Sequence, residues 1–331
     1  VIYIWTGFLL FIFAVLALDL GVFNRKDHVP TTREALGFTA ATVVLALAFA
    51  ALVIVAYDQH WQGLGLALDA VDGQLNTGQS AAIKFVTGYL VELSLSMDNV
   101  FVIALIFGHL KVPPKLQHRV LFWGILGALA MRGAMIAGGA ALVSRYHWVM
   151  YVFGAFLVLT AVKMLFAKKH EESPEEQWIV RWLNRHFRVT KEFHGQHFLI
   201  VRDGKRYLTP LAVALVLVES TDVLFAVDSI PAIFSITADP FLVFTSNVFA
   251  ILCLRSLYFG LAGMLQKFRY LGFSLAIILG IVGLKMLFSS FVKQLLGDAA
   301  NVTMLAIVLG VLVGGAVLSA VAEQRDRRRK A

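Results

Sequence analysis

Apolar positions in this chain neither alternate nor recur on a single helical face. They run in blocks, at 2–23, 35–57, 81–107, 118–142, 147–167, 209–236, 240–264, 269–292 and 301–321, separated by polar stretches that are mostly short. Each block holds roughly 17 to 28 residues, enough at about 1.5 Å per residue to cross a hydrocarbon layer about 30 Å thick. An open sheet is excluded because lipid cannot satisfy its edges, and a barrel would show short alternating segments. The pattern predicts an all-α polytopic membrane protein with about nine transmembrane helices.

Composition supports this reading. Of the 331 residues 59% are apolar and only 15% charged, with a mean hydropathy of +0.77, against about a quarter charged in soluble domains. A water-soluble enzyme is excluded. Basic residues then orient the bundle: Arg25, Lys26 and Arg33 follow the first block, Lys111, Lys115 and Arg119 the third, nine Lys/Arg lie in 168–208, Lys267 and Arg269 follow the seventh block, and Arg325 to Lys330 close the chain. The loops at 58–80, 143–146, 237–239 and 293–300 hold only Arg145 and Lys293. By the positive-inside rule the N-terminus is expected outside and the C-terminus in the cytoplasm. The net charge of +8 reads as topology plus attraction to anionic headgroups, and nucleic acid is not an expected partner. The first block has no basic leader and is followed by Arg25-Lys26, so it is expected to be a retained span; a start at Val1 suggests that a few residues precede it. The single cysteine, Cys253, excludes a disulfide scaffold and Cys-based zinc or iron–sulfur sites.

Self-similarity organises the blocks. Leu90-Val91-Glu92-Leu93-Ser94 resembles Leu217-Val218-Glu219-Ser220-Thr221, and Asp98 matches Asp222 at an offset of 124. Arg132 matches Arg255 at 123, and Lys163-Met164-Leu165-Phe166 matches Lys285-Met286-Leu287-Phe288 at 122. Three blocks thus repeat as three, and an odd number of crossings requires the second copy to be inverted in the membrane, an arrangement known in secondary transporters. The expected organisation is two helices and an outer loop in 1–80, inverted repeat one in 81–167, a small cytosolic helix-hairpin insertion in 168–208, inverted repeat two in 209–292, and a last helix with a basic cytosolic tail in 293–331. Within the insertion, Trp178, Ile179, Trp182, Leu183 and Phe187 interleave with Arg181, Arg185 and Arg188 as a basic amphipathic helix at the cytosolic leaflet. Asp203-Gly204 sits between two strand-like runs as a hairpin turn.

Six carboxylates fall inside predicted spans: Asp19, Glu92, Asp98, Glu219, Asp222 and Asp228. Each costs about 2.5 to 3.5 kcal/mol at a helix centre. Lys84, Lys163 and Lys285 lie near span ends and can snorkel, leaving Arg132 and Arg255 to balance buried acids, so about four carboxylates remain over. Such a surplus must be protonated, hydrated or cation-bound. A purely structural ion-pair network is the alternative. Glu92, Ser96 and Asn99 share one helical stripe, as do Glu219 and Asp222. Asp228 would point away on a regular helix, but Pro231 is expected to kink or unwind the turn around it and free backbone carbonyls; a kink serving only packing is the alternative. Asp19, near the cytosolic end of its span, ranks below the others.

Carboxylates, the Asn99 amide and the hydroxyls of Ser94, Ser96 and Ser229 are hard oxygen donors, suited to Mn²⁺, Mg²⁺ or Ca²⁺. Met97 reads as packing, and the histidines lie in loops or at span ends. Neither a metalloprotease motif nor a phosphate-binding loop occurs, so no enzyme is expected. Gly310-x-x-x-Gly314 suggests close helix packing.

Three segments carry a family resemblance. Asp19-Leu20-Gly21-Val22-Phe23, Ser94-Leu95-Ser96-Met97-Asp98-Asn99-Val100-Phe101 and Val218-Glu219-Ser220-Thr221-Asp222-Val223-Leu224-Phe225-Ala226-Val227-Asp228-Ser229-Ile230-Pro231-Ala232 closely resemble signature segments of the TerC/Alx family. The resemblance implies a bacterial inner-membrane protein of the LysE-type transporter superfamily, associated with manganese export and with tellurium resistance. It implies that Glu92, Asp98, Asn99, Glu219, Asp222, Asp228 and Asp19 are the family's polar intramembrane residues. An acidic pathway should repel tellurite, which makes that phenotype indirect. The expectation is a secondary transporter that exports divalent cations, Mn²⁺ first, by proton antiport. Asp98 and Asp222 are its central ligands, and Glu92, Glu219 and Asp228 share coordination and proton exchange. No covalent cofactor is expected. Partners are the cation, protons, the bilayer and a further copy of the chain. The alternative is a membrane scaffold that binds metal without transporting it.

Overall fold

The computed structural model describes residues 2–18, 31–146, 148–166, 174–190, 192–202, 204–261 and 271–330. The protein is an all-α membrane protein with one small hairpin. Its helices are α1 (Ile2–Leu18), α2 (Thr32–Asp58), α3 (Gly78–His109), α4 (Pro114–Arg145), α5 (Val149–Phe166), α6 (Pro174–His186), α7 (Pro210–Phe234), α8 (Pro240–Leu261), α9 (Leu271–Leu287), α10 (Ser289–Leu296) and α11 (Ala300–Lys330). Seven of these, α2, α3, α4, α5, α7, α8 and α11, are long and apolar enough to cross a membrane. The first and eighth expected spans are present as the shorter apolar helices Ile2–Leu18 and Phe273–Leu287; the parts of those spans at 19–23 and 269–270 lie outside the described residues, as does the end of the seventh at 262–264.

The ends of the long helices are set by local chemistry. Thr31 and Glu34 form a reciprocal capping box on α2, Thr77 accepts from the Ser80 amide at the start of α3, and Thr209 caps α7 ahead of Pro210, each satisfying amides that a helix start leaves free. At α8 the Asp239 carboxylate accepts from the Phe241 and Leu242 amides at 3.0 and 3.4 Å.

The centre of the bundle is α3, α4, α7 and α8. Helix α3 packs on α8 and α7, α4 on α7 and α8, and α5 lies along α9, while α2 and α11 flank them. Backbones of α5 and α9 meet at two glycines: a Cβ at Gly283 would come within 2.8 Å of the Gly154 carbonyl oxygen, and one at Gly154 within 3.1 Å of that of Gly283. Helix α1 joins through aromatic contacts, with Phe8 against Phe49, Phe241 and Phe249. The outer helices turn Val44, Leu47, Leu52, Val313 and Leu318 outward and exposed. An apolar belt of that kind needs an apolar solvent.

Buried apolar residues fall into two clusters stacked along the helices. One includes Phe85, Val91, Leu95, Ile125, Leu129, Ala226, Ile230 and Ile251. The other includes Val100, Ile103, Val120, Leu121, Leu217, Val218, Cys253 and Leu254. Polar side chains interrupt this apolar core at Glu92, Ser96 and Asn99 on α3, Arg132 on α4 and 219–222 on α7, a seam across the helices.

The hairpin has the expected turn. Strands β1 (Leu199–Arg202) and β2 (Lys205–Leu208) pair antiparallel with Arg202 opposite Lys205, and Gly204 has φ +70°, a conformation open to glycine in a two-residue turn. Helix α6 packs by Leu183, which is buried, and leaves Trp178 and Trp182 exposed.

Three expectations are corrected. Helix α7 stays α-helical through Asp228 and Pro231 to Phe234, so no unwound turn frees carbonyls there. Pro231 has no N–H to offer the Val227 carbonyl, and the helix nonetheless continues past it to Phe234. Lys84 does not snorkel: it is 1% exposed and ion-paired. Finally, a Cβ at Gly310 or Gly314 would meet nothing within 4 Å, so these glycines do not mediate close packing among the described residues.

Candidate functional site

Arg132, on α4, occupies the seam. Its side chain is 2% exposed and reaches acids on two other helices. Nη2 donates to Oδ1 of Asp222 at 3.0 Å and Nε to Oδ2 at 3.1 Å, the bidentate fork that suits guanidinium to carboxylate. Nη1 donates to Oε1 of Glu92 on α3, which is itself 0% exposed. The same Nη1 lies 3.4 Å from the Ser229 hydroxyl and 3.4 Å from Oδ1 of Asn247 on α8. One cation therefore gathers side chains from α3, α7 and α8.

Asn99 completes the group, its amide 3.5 Å from Oδ1 of Asp222. Beside it lies a small cavity of about 20 Å³, bordered by Asn99, Leu121, Gly124, Thr221, Asp222 and Phe225. That is room for about one water. Among the described residues, Oδ1 of Asn99, at the cavity, has no hydrogen-bond partner, nor have Oε2 of Glu92 and Nδ2 of Asn247, whose side chains meet Arg132, or the Ser96 hydroxyl on α3 and Oε2 of Glu219 on α7. Buried polar atoms without partners are costly and rare.

Glu219 lies one turn before Asp222 on α7, and its carboxylate presses against Gly127 of α4, where a Cβ would overlap it. Glycine is needed there to make room for the acid. Among the described residues the seam thus holds three acidic side chains, Glu92, Asp222 and Glu219, to one basic side chain, Arg132. No group of three or more His, Cys, Asp or Glu side chains in metal-holding geometry is present among the described residues.

The predicted residues divide clearly. Glu92, Asn99 and Asp222 come together, and Glu219 adjoins them. Asp228 does not: it faces α5, accepting from the Thr160 hydroxyl at 3.4 Å, as a regular helix dictates. The side chains of Asp98, Met97 and Arg255, and the whole of Asp19, lie outside the described residues. Asn247 was missed by sequence reasoning. Its signal is a polar amide in the block 240–264, which turns out to be the most enclosed of the seven long helices.

A second polar cluster was also missed. At the end of the bundle where α3 begins, Nζ of Lys84 lies 2.9 Å from Oδ2 of Asp69 and 2.7 Å from Oδ2 of Asp72, and donates to Oδ1 of Asn76 at 2.6 Å. Asp69 also accepts from the Thr237 hydroxyl and from the Ala238 and Val71 amides. Asp239 accepts from the Tyr57 hydroxyl at 2.9 Å and the Asn76 amide at 3.3 Å. The loop 59–77 is thereby tied to the α7–α8 turn. Burial works to raise the Asp69 carboxyl, yet the Lys84 ammonium and the bonds from Thr237 and Ala238 hold it below its ordinary value. Burial raises Asp239, and its bonds to Tyr57 and the Leu242 and Phe241 amides offset only part of this.

Sequence comparison places this arrangement in a family. The profile described as Integral membrane protein TerC family matches residues 77–330, from α3 to the end of α11. The chain belongs to the TerC family. Relatives of this TerC protein include an uncharacterized membrane protein, STKORF319, of Myxococcus xanthus, 49% identical over 291 residues that cover 88% of this chain and 85% of the relative. A Salmonella typhi protein, provisionally named membrane-bound redox modulator Alx, is 42% identical over 330 residues covering 99% of this chain and 97% of its own. The Escherichia coli K12 protein of the same name is 40% identical over 328 residues, with the same coverage. No solved structure matches this TerC protein.

Proposed function

We propose that this TerC protein is a secondary transporter that exports divalent metal cations, Mn²⁺ first among them, in exchange for protons. The observation that carries the reading is the convergence of Glu92, Asp222 and Asn99 from α3 and α7 on one buried cluster whose remaining oxygens lack partners. Hard oxygen donors of this kind suit Mn²⁺, Mg²⁺ and Ca²⁺. The surplus of acids over cations supplies groups that can exchange protons for metal. Asp98, two turns from Glu92 on α3, and Asp228, on the α5 side of α7, belong to the same proposal as a ligand and a proton carrier, with Asp19 as a peripheral member.

The architecture proposed is nine transmembrane helices in which α3–α5 and α7–α9 are inverted repeats. Two features favour it. Asp98 and Asp222, Arg132 and Arg255, and Lys163 and Lys285 match in order at offsets of 124, 123 and 122. Exchanging the two triplets also maps the packing onto itself: α3 on α8 becomes α7 on α4, both observed, while α5 on α9 and α3 on α7 are self-paired. Inverted-repeat transporters bind cargo where the repeats meet. The residues 168–208 then lie on the cytosolic side of a bacterial inner membrane, with the N-terminus outside.

The relatives' name invokes redox modulation. This chain has a single cysteine, Cys253, and it is buried, so an intramolecular thiol pair is not available to it. An effect on cellular redox state would follow indirectly from metal content.

The test is Mn²⁺ flux in proteoliposomes under an imposed pH gradient. Wild type should accumulate Mn²⁺ against its gradient, and both Asp222→Asn and Asp98→Asn should abolish flux. Wild type that binds Mn²⁺ but moves none would favour a scaffold that assists metallation of other proteins.

A further inference from the structure

The oxygens that the proposed cargo would need are already engaged by a cation belonging to the protein. Arg132 takes both oxygens of Asp222 and one of Glu92, and touches Ser229 and Asn247. What it leaves free are the second Glu92 oxygen, the Asn99 carbonyl oxygen and the Ser96 hydroxyl. A guanidinium carries one charge and a divalent ion two, so the two carboxylates are only half compensated in this state. We propose that Arg132 is a tethered counter-cation that holds the empty site together, and that an incoming divalent cation displaces it from Glu92 and Asp222 onto Glu219. The proposal rests on the reading of this cluster as a cation site.

The geometry provides a place for the displaced charge. Glu219 precedes Asp222 by three residues on α7, so both acids lie on one face about a turn apart. Its carboxylate sits against Gly127, five residues before Arg132 on α4. Long side chains on a helix lean toward its N-terminus, which for Arg132 is the direction of Gly127. Glu219 Oε2 is buried without a partner. A swing of one flexible side chain therefore moves Arg132 from one acid to the next. Charge then balances: two positive charges of the metal against Glu92 and Asp222, and Arg132 against Glu219. The cavity beside Asn99 and Asp222, at about 20 Å³, admits a body the size of a water molecule, to which a desolvated divalent ion is comparable.

A buried arginine with a purely structural role makes the opposite forecast, which allows a decision. The measurement is Mn²⁺ affinity of purified protein, from loss of the electron paramagnetic resonance signal of free aqueous Mn²⁺, with thermal melting alongside. Removing an internal competitor by Arg132→Gln should tighten Mn²⁺ binding about tenfold or more, a coupling of ordinary size. The metal-free variant should melt below wild type and regain most of the difference when Mn²⁺ is added. Glu219→Gln, which removes the acceptor, should weaken Mn²⁺ binding about tenfold, and this loss should vanish in the Arg132→Gln background. Unchanged or weaker binding by folded Arg132→Gln overturns the proposal, as does a Glu219→Gln effect independent of Arg132. If Arg132→Gln does not fold, the charge-balanced pair Glu92→Gln with Arg132→Gln is compared with Glu92→Gln alone, and the double variant should bind about tenfold tighter; equal or weaker binding again overturns it. Wild type that binds no Mn²⁺ refutes the cation-site reading itself, whereas wild type that binds while the variants fail these forecasts refutes only the role of Arg132.

Discussion

Gly127 is the residue on which the site is most sensitive at least structural cost. A methyl group there would collide with the Glu219 carboxylate, which is the far end of a flexible side chain and can move aside. Gly127→Ala should therefore leave the melting temperature of the purified protein within a few degrees of wild type, a stability change of about 1 kcal/mol or less, while cutting Mn²⁺ flux at least tenfold. Equal flux would separate Glu219 from the transport site. Lys84 is the contrasting case, because its loss leaves Asp69, 0% exposed at its side chain, as an unpaired buried charge. Lys84→Met should cost about 3 to 5 kcal/mol, read as a large drop in melting temperature. Asp69 also carries a pH dependence. Its carboxyl is held below the ordinary value of 3.8 in the folded protein, so its stabilisation is complete above that value and is lost as pH falls through the lower folded value. Asp239 is shifted the other way: its contribution is present below 3.8 and is lost as pH rises through its higher folded value. Below pH 4 the melting temperature of wild type should fall as pH falls, and that of Asp69→Asn should fall less. At this scale the acids Glu92, Asp222 and Glu219 were legible in the sequence, since a carboxylate in an apolar block is conspicuous. Lys84 was misread because proximity to a span end says nothing about which loop folds over it. Asp69, Asp72 and Asn76 sit in a polar stretch where polar residues carry no signal.

At the scale of elements, hydrophobic blocks located the helices well because lipid enforces helix on any long apolar run. Partners were harder to read. Nothing in the block 269–292 announces that α9 lies along α5, yet that contact is set by two glycines whose backbones nearly touch. A Cβ at Gly283 would stand 2.8 Å from a backbone oxygen and 2.9 and 3.0 Å from atoms of Val158 and Leu157, none of them easily moved. Gly283→Ala should force α5 and α9 apart and destabilise by about 1 to 3 kcal/mol, visible in thermal melting. Gly310→Ala and Gly314→Ala, at positions that face nothing within 4 Å, should not lower the monomer's melting temperature. The same pair of observations explains why a glycine pattern alone misleads: Gly-x-x-x-Gly in α11 looked like a packing motif, whereas the two glycines that pack belong to different helices. Pro231 misled for a related reason. A proline takes one hydrogen bond from the turn that precedes it, but packing against neighbouring helices lets such a turn stay helical, and α7, packed on α3 and α4, runs through it to Phe234.

The whole molecule is where the repeat makes its sharpest forecast. If α3–α5 and α7–α9 each cross the membrane three times, connections alternate sides in a fixed order. Gln62, Tyr146 and Ala238 lie in the connections before α3, between α4 and α5, and between α7 and α8; the exposed Lys111 and Arg188 lie between α3 and α4 and between α5 and α7. Single cysteines at the first three positions should therefore be labelled by a membrane-impermeant maleimide from one side of the membrane, and those at the other two from the opposite side. A Cys253→Ser background is suitable because Cys253 is buried and is the chain's one thiol. The side bearing Lys111 and Arg188 should be cytosolic, since Lys115, Arg119, Arg181 and Arg185 flank them. Parallel labelling of positions 62 and 188 would mean an even number of crossings between them and would remove the inversion. The transport mechanism depends on that result, because only an inverted pair offers two equivalent ways of closing around Glu92 and Asp222. In the present structure the small cavity is bordered by both apolar clusters, by Leu121, Val218 and Leu254 of the second and Ile125 and Ile251 of the first, while the Lys84 network ties together the end where α3 begins. If the repeats are inverted, the Lys84 network lies on the side of Gln62 and Ala238, opposite the side of Arg188.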